Sequence, residues 1–273
     1  MGIVNVTPDS FSDGGKFSQT DAAVEHALNL ANQGAAILDI GGESTRPYST
    51  AVDADQELSR VIPVIEKVVA KTKTPVSIDT SKSVVAAAAI AAGAQIINDV
   101  TGLQGDPKMI DVALQTGAGI CAMHMQGTPQ DMQDNPSYLD VTREIHGYLA
   151  QRKSFLIDAG VEAEKICLDP GIGFGKTHEH NLQLIRDCHQ FHDLGCPILI
   201  GHSRKGFISK LISAGPVENP VQNNGPSIDQ RDAGTLAITL QLARQGIQII
   251  RVHEVANTIA ALAVRQGLRD HSD

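Results

Sequence analysis

Two hydrophobic patterns alternate along the chain. Short, nearly continuous apolar runs recur: GIVNV at the start, then AILDI, PVSIDT, QIIND, GICAM, ICLD, PILIG and IQIIRV. Between them apolar residues return at i, i+3, i+4 and i+7, as in DAAVEHALNLANQG (21–34), ADQELSRVIPVIEKVV (54–69) and RDAGTLAITLQLARQG (231–246). The first pattern predicts strands and the second amphipathic helices. Glycines introduce many of the runs, as in QGAAILDI, AGAQIIND, TGAGICAM and QGIQIIRV, where the preceding helix needs a residue that tolerates φ > 0. Runs without alternation suit strands buried on both faces of a parallel sheet. Eight such units within 273 residues predict an α/β fold, a (β/α)8 TIM barrel occupying 1–273 as a single domain. An open doubly wound sheet competes, but it usually stops at about five or six strands and carries G-x-G-x-x-G after the first, which is missing here. The stretch SAGPVENPVQNNGPSIDQ (213–230), rich in Pro, Gly and Asn, reads as a long loop inserted after the seventh strand and its first helical turn.

A barrel of this kind takes its functional groups from the C-terminal ends of its strands. Those ends hold Asn5, Asp39 with Glu43, Asp79, Asn98, His124, Asp169, Ser203 with Lys205, and Arg251 with His253. Buried charge is costly unless paired, so the ring as a whole points to a ligand. For Asp39, His124 and His202 individually, strand-end hydrogen bonding is an equal reading. The ring divides by chemistry. Asp79, Asn98 and Asp169 suit a flat heterocycle with several N–H donors, such as an amino-pyrimidinone. Arg46, Arg204, Lys205, Arg251 and His253 suit an anion, a phosphate or diphosphate. Asn5 offers an oxygen to Mg²⁺, which commonly reaches a protein through few side chains and the substrate's phosphates. Two loops, 5–17 and 41–49, carry Phe11, Asp13, Thr45, Arg46 and Pro47 at their tips and read as covers that exclude water.

Composition narrows the partners. A net charge of −9 argues against a nucleic-acid surface, and no run approaches the ~18 apolar residues of a membrane span. No basic, apolar leader is visible at MGIVNVTPDS, which predicts a cytoplasmic protein. The four cysteines form no CxxC pair and read as small buried hydrophobes. The histidines at 178, 180, 189 and 192 read as a solvated helix face. DPGIGFGKT (169–177) imitates a P-loop, but Pro170 stands where that motif needs its first glycine. Asp169 is the functional residue expected there, with Lys176 and Thr177 simply starting the next helix.

MGIVNVTPDSFSDGG, GGESTRP, SIDTSK, IINDV, LDPGIGFGK, SRKGF and RVHEV, in this order and spacing, resemble the dihydropteroate synthase family. The motifs span residues 1 to about 255. The resemblance implies a TIM-barrel transferase of folate biosynthesis that joins 6-hydroxymethyl-7,8-dihydropterin diphosphate to p-aminobenzoate, uses Mg²⁺, works as a homodimer and is the target of sulfonamides. It implies pterin contacts at Asp79, Asn98, Met123, Asp169, Phe174 and Lys205. Diphosphate contacts are implied at Asn5, Arg46, Arg251 and His253, with Asn5 also meeting the metal. The p-aminobenzoate side is implied at Phe11, Thr45, Pro47 and Ser203. Catalysis is implied at Asp13, Lys205 and Arg251, through a dissociative route in which Asp13 stabilises a pterin-methylene cation. The chain departs from the family at Tyr48, where Gly is usual, in the longer 213–230 stretch, and in opening directly on the first strand, where relatives commonly carry a short leading segment. A folate-to-corrinoid methyltransferase would share Asp79, Asn98 and Asp169 but has no use for the SRK lysine or the diphosphate cations. A catalytically idle relative would be expected to have lost some of Asn5, Asp13, Arg46 or Lys205, and all are present.

Overall fold

The computed structural model describes residues 1–7, 16–215 and 225–270. The predicted strands form β1 (Gly2–Asn5), β2 (Leu38–Gly41), β3 (Val76–Asp79), β4 (Ile96–Asp99), β5 (Gly119–Met123), β6 (Ile166–Asp169), β7 (Leu199–Ile200) and β8 (Ile249–Ile250). Neighbours pair in parallel in sequence order from β1 to β6, and β7 pairs with β8. Single parallel bridges, Leu168 to Ile198 and Gly2 to Val252, join the two sheets into a ring. The chain therefore closes as the predicted barrel, with helices outside: α1 (Lys16–Asn32), α2 (Ala54–Val69), α3 (Ser83–Ala91), α4 (Met109–Thr116), α5 (Val141–Asp158), α6 (His178–Asp187), α7 (Gly206–Ser213), α8 (Ile228–Arg244) and α9 (Val255–Asp270).

Local chemistry sets several boundaries. Asp53, Asp140, Thr177 and Ser227 each accept a hydrogen bond from the third helical N–H of the helix they precede, satisfying a donor the helix cannot use. The break after β7 falls later than the sequence suggests. Two helical turns (α7) precede it, and α8 already starts at Ile228, so 228–230 belong to a helix. Residues 216–224 lie outside the described residues.

The strands are less uniform than their composition implies. Leu38 and Ile40, Val76 and Ile78, Ile120 and Ala122, Ile166 and Leu168 join the hydrophobic layer beneath the helices. The alternate positions, Asp39, Ser77, Asp79, Asn98 and Asp169, take the opposite face, which in a closed barrel is the interior. Apolar packing thus lies between strands and helices, while the barrel's inside carries the polar residues. No helix among the described residues is long and apolar enough to cross a membrane.

Candidate active site

Arg251, just past β8, ties three strands together. Its Nε donates to Asp39 Oδ2 at 2.5 Å and its Nη2 to Asp79 Oδ2 at 2.7 Å. Asn98 Nδ2 donates to the same Asp39 oxygen at 3.1 Å. Asp39 therefore belongs to the candidate site, fully buried, its Oδ1 without a hydrogen-bond partner among the described residues. Burial raises the Asp79 carboxyl to about 7, with Arg251 opposing the rise. Burial disfavours the Arg251 charge too, but Asp39 and Asp79 outweigh it and hold the guanidinium above its ordinary pKa.

Across the mouth, Asp169 ends β6 and its Oδ1 accepts from Gly171 N–H at 2.7 Å. Burial raises its pKa, against that hydrogen bond and the charges of Lys205, Lys176 and Arg251. Lys205 donates to the Ile172 carbonyl and sets its ammonium 4.4 Å from the centre of the Phe174 ring. Burial lowers Lys205 to about 8, with Asp169 resisting. Met123, the register partner of Asp169, is buried next to them. Asp79, Asn98, Met123, Asp169, Phe174 and Lys205 thus gather at one end of the barrel.

The anion half is smaller than expected. Ser203 Oγ lies 2.9 Å from His253 Nδ1 and accepts from the His253 backbone N–H at 3.2 Å. Burial, helped by Arg204, Arg251 and Arg46, lowers His253 to about 3, so at neutral pH it serves as a hydrogen-bonding group and not as a cation. Arg204 is committed elsewhere: Nε and Nη2 grip the Asp232 carboxylate at 2.6 and 2.7 Å. His202 is structural, its Nε2 lying 3.0 Å from the Thr235 carbonyl oxygen and 3.1 Å from Thr239 Oγ1 of α8. Asn5 closes β1 opposite Gly41. Among the described residues no three His, Cys, Asp or Glu form a metal cluster. A single neutral amide oxygen fits a hard cation carried mainly by substrate oxygens and water.

Thr45, Arg46 and Pro47 lie on the β2–α2 loop, with Arg46 and Pro47 exposed. Phe11 and Asp13 fall outside the described residues. Tyr48 takes φ 63°, the left-handed conformation that explains why glycine would suit this position. Its N–H donates to the Pro129 carbonyl at 2.9 Å and its hydroxyl to Asp134 Oδ1 at 3.1 Å, fastening this loop to the one after β5. Beneath, Lys82 Nζ donates to Glu43 Oε2 and Glu57 Oε2, each at 2.6 Å. The sequence held one signal for this triad: Glu57 stands four residues before Val61 on the stripe Val61, Val64, Ile65 and Val68 that α2 buries.

Lys176 overturns its expected place. Thr177 does start a helix, as the cap of α6, but Lys176 is buried, with 2% of its surface exposed. The four cysteines are free, and Cys121 and Cys167 are register partners in β5 and β6.

A family model described as pterin binding enzyme matches residues 1–253. The dihydropteroate synthase of Escherichia coli K12 is 44% identical over 264 residues, covering 97% of this chain and 89% of that protein. A Xanthomonas albilineans dihydropteroate synthase structure with 4-aminobenzoic acid is 45% identical, with a TM-score of 0.89 over 98% of this chain and 92% of that one. A Yersinia pestis dihydropteroate synthase in a sulfonamide drug complex is 40% identical, also at TM-score 0.89, over 99% and 94% of the two chains.

Proposed function

The chain belongs to the pterin-binding enzyme family, and from that premise we propose that it is a dihydropteroate synthase joining p-aminobenzoate to 6-hydroxymethyl-7,8-dihydropterin diphosphate. The observation that carries the reading is the position of Arg251. It bonds to Asp39 and Asp79 in the acidic ring and stands just past β8, two residues before His253 of the anion side. A substrate that is a donor-rich ring at one end and a polyanion at the other matches that junction.

In this reading Asp79, Asn98 and Asp169 accept the pterin's N–H groups, and a ring lacking them would leave buried acceptors unpaired. Lys205 donates to the ring, with Met123 and Phe174 packing beside it. Arg46, Arg251, His253 and Asn5 receive the diphosphate. A bound Mg²⁺ would neutralise charge on that leaving group, and Asn5 Oδ1 is the protein oxygen for it. The methylene C–O bond breaks with its electron pair leaving on diphosphate, and the Asp13 carboxylate stabilises the resulting pterin-methylene cation. Electrostatic stabilisation of this kind is the largest expected contribution. The amine nitrogen of p-aminobenzoate, placed by Phe11, Thr45, Pro47 and Ser203, then forms the C–N bond and releases a proton. An arylamine positioned this way needs no strong base. Sulfonamides would compete on the same side.

The whole chain acts as one domain in the cytoplasm, and pairs through α8 and α9, whose Ile228, Ile259, Val264 and Leu268 are exposed apolar residues. The deciding assay follows dihydropteroate and diphosphate from the pterin diphosphate and labelled p-aminobenzoate, with Mg²⁺ and then with EDTA. Equimolar products with Mg²⁺ are expected. Tight pterin binding without product would overturn the reading.

A further inference from the structure

The turn between β6 and α6 lies directly on the end of β5. A Cβ at Gly171 would run into the His124 carbonyl oxygen and one at Gly175 into the Gln126 carbonyl oxygen, so no side chain fits between the two segments. Both glycines have φ near +65°, 71° at Gly171 and 63° at Gly175. Within this turn five successive carbonyls are each held by a different side chain. Lys205 takes Ile172, Gln133 takes Gly173 at 2.8 Å, and Lys176 takes Phe174 at 2.8 Å. Tyr138 takes Gly175 at 2.9 Å, and Asn181 takes Lys176 at 3.4 Å.

Lys176 differs from the other four. It belongs to the turn itself and is buried, and its Nζ also lies 3.0 Å from His124 Nδ1. Burial holds the Lys176 pKa well below the ordinary lysine value, with Asp169 opposing and Lys205 adding to the fall, and a buried amine needs hydrogen-bond partners around it. Here they are the Phe174 carbonyl and His124, which burial keeps neutral with a pKa of about 3, so that Nδ1 is free to accept. Lys176 is also one of the charges that oppose the burial-driven rise in the Asp169 pKa.

We propose that Lys176 is a positioning residue for the pterin. Its Nζ clamps the 171–176 turn onto His124, fixing Phe174 and Asp169 in place, and, when protonated, favours the ionised Asp169 carboxylate. The assignment rests on the dihydropteroate synthase reading for the identity of the ligand.

The test is Lys176→Met, which keeps the volume and removes both donor and charge, alongside Lys176→Gln, which keeps a donor without the charge. Calorimetric binding of 6-hydroxymethylpterin is measured together with steady-state kinetics across pH. Lys176→Met should weaken pterin binding and raise the KM for the pterin diphosphate roughly tenfold or more, leaving the KM for p-aminobenzoate within about twofold. The acid limb of kcat/KM should move to higher pH, because Asp169 loses a charge that favours ionisation. Lys176→Gln should recover part of the affinity and none of the pH shift. If Lys176→Met does not fold, His124→Leu removes the acceptor and should weaken pterin binding, while His124→Asn retains it and should weaken binding less. Unchanged pterin affinity, or a loss shared equally by both substrates with no pH shift, overturns the proposal. Calorimetry keeps the two readings separable: an unsubstituted chain that binds pterin but makes no product refutes the function and still tests Lys176.

Discussion

Lys82→Met should destabilise the fold and loosen the loop that carries Thr45, Arg46 and Pro47. Lys82 is the N-cap residue of α3 and makes no side-chain cap bond, so its charge sits at the helix end the macrodipole disfavours for cations. Burial works to lower its pKa, but Glu43 and Glu57 outweigh that and raise it. The Lys82, Glu43 and Glu57 side chains are 23%, 18% and 0% exposed. Removing one partner of a buried pair costs about 3–5 kcal/mol, because the other charge stays buried and unpaired. The partial exposure of Lys82 and Glu43 puts this case near the lower end, about 3 kcal/mol, or roughly 6–12 °C in Tm for a chain of this size. Urea denaturation and thermal melts measure the loss. Adding Glu57→Gln to Lys82→Met removes the stranded charge and should restore more than half of it. Glu43 also accepts from Val52 N–H at 2.9 Å, bracing the loop from its far end. The KM for p-aminobenzoate should therefore rise while that for the pterin holds. A loss under about 1 kcal/mol, or a double variant no more stable than Lys82→Met, would refute the reasoning.

Three further outcomes test the site and the fold. Asp79→Ala should abolish measurable pterin binding in calorimetry, whereas Asp13→Ala should spare binding and slow turnover. Loss of pterin affinity alone in Asp13→Ala would overturn the cation-stabilising role proposed for it. His202 is held neutral by burial with a pKa of about 4, so between roughly pH 6.5 and 4 the unfolded chain binds the extra proton and stability falls as pH falls. In His202→Gln that contribution is gone, and the stability gap to the unsubstituted chain should shrink by up to ~3 kcal/mol over that window. Urea unfolding at several pH values reads it, and a pH-independent gap would mean His202 is not kept neutral.

Much of the site was legible because strand ends in a barrel converge whatever lies between them. Asp79, Asn98, Asp169, Lys205 and Arg251 each close or closely follow an apolar run, and the barrel brings them to one end. That pattern could not decide how cations and carboxylates pair. Arg204 and Arg251 look alike in sequence, yet one is clamped by Asp232 on α8 and the other bridges Asp39 and Asp79. Asp39 and His202 were equally balanced between ligand and structural roles; the first joined the ring and the second bound α8. Lys176 was missed because position beside a helix start carries no information about burial.

What the sequence determined by itself is local: eight strand-helix units, the helix start at Thr177, and the glycines that turn the chain between elements. These depend on backbone conformation and on hydrogen bonds a few residues long. Only the tertiary structure decided which charges are neutralised, which histidines stay neutral and which lysine is buried. Arg251 meets Asp39 across 212 positions of sequence. A bond of that span exists only once the ring has closed, and its neighbours' protonation depends on the water that closure excludes.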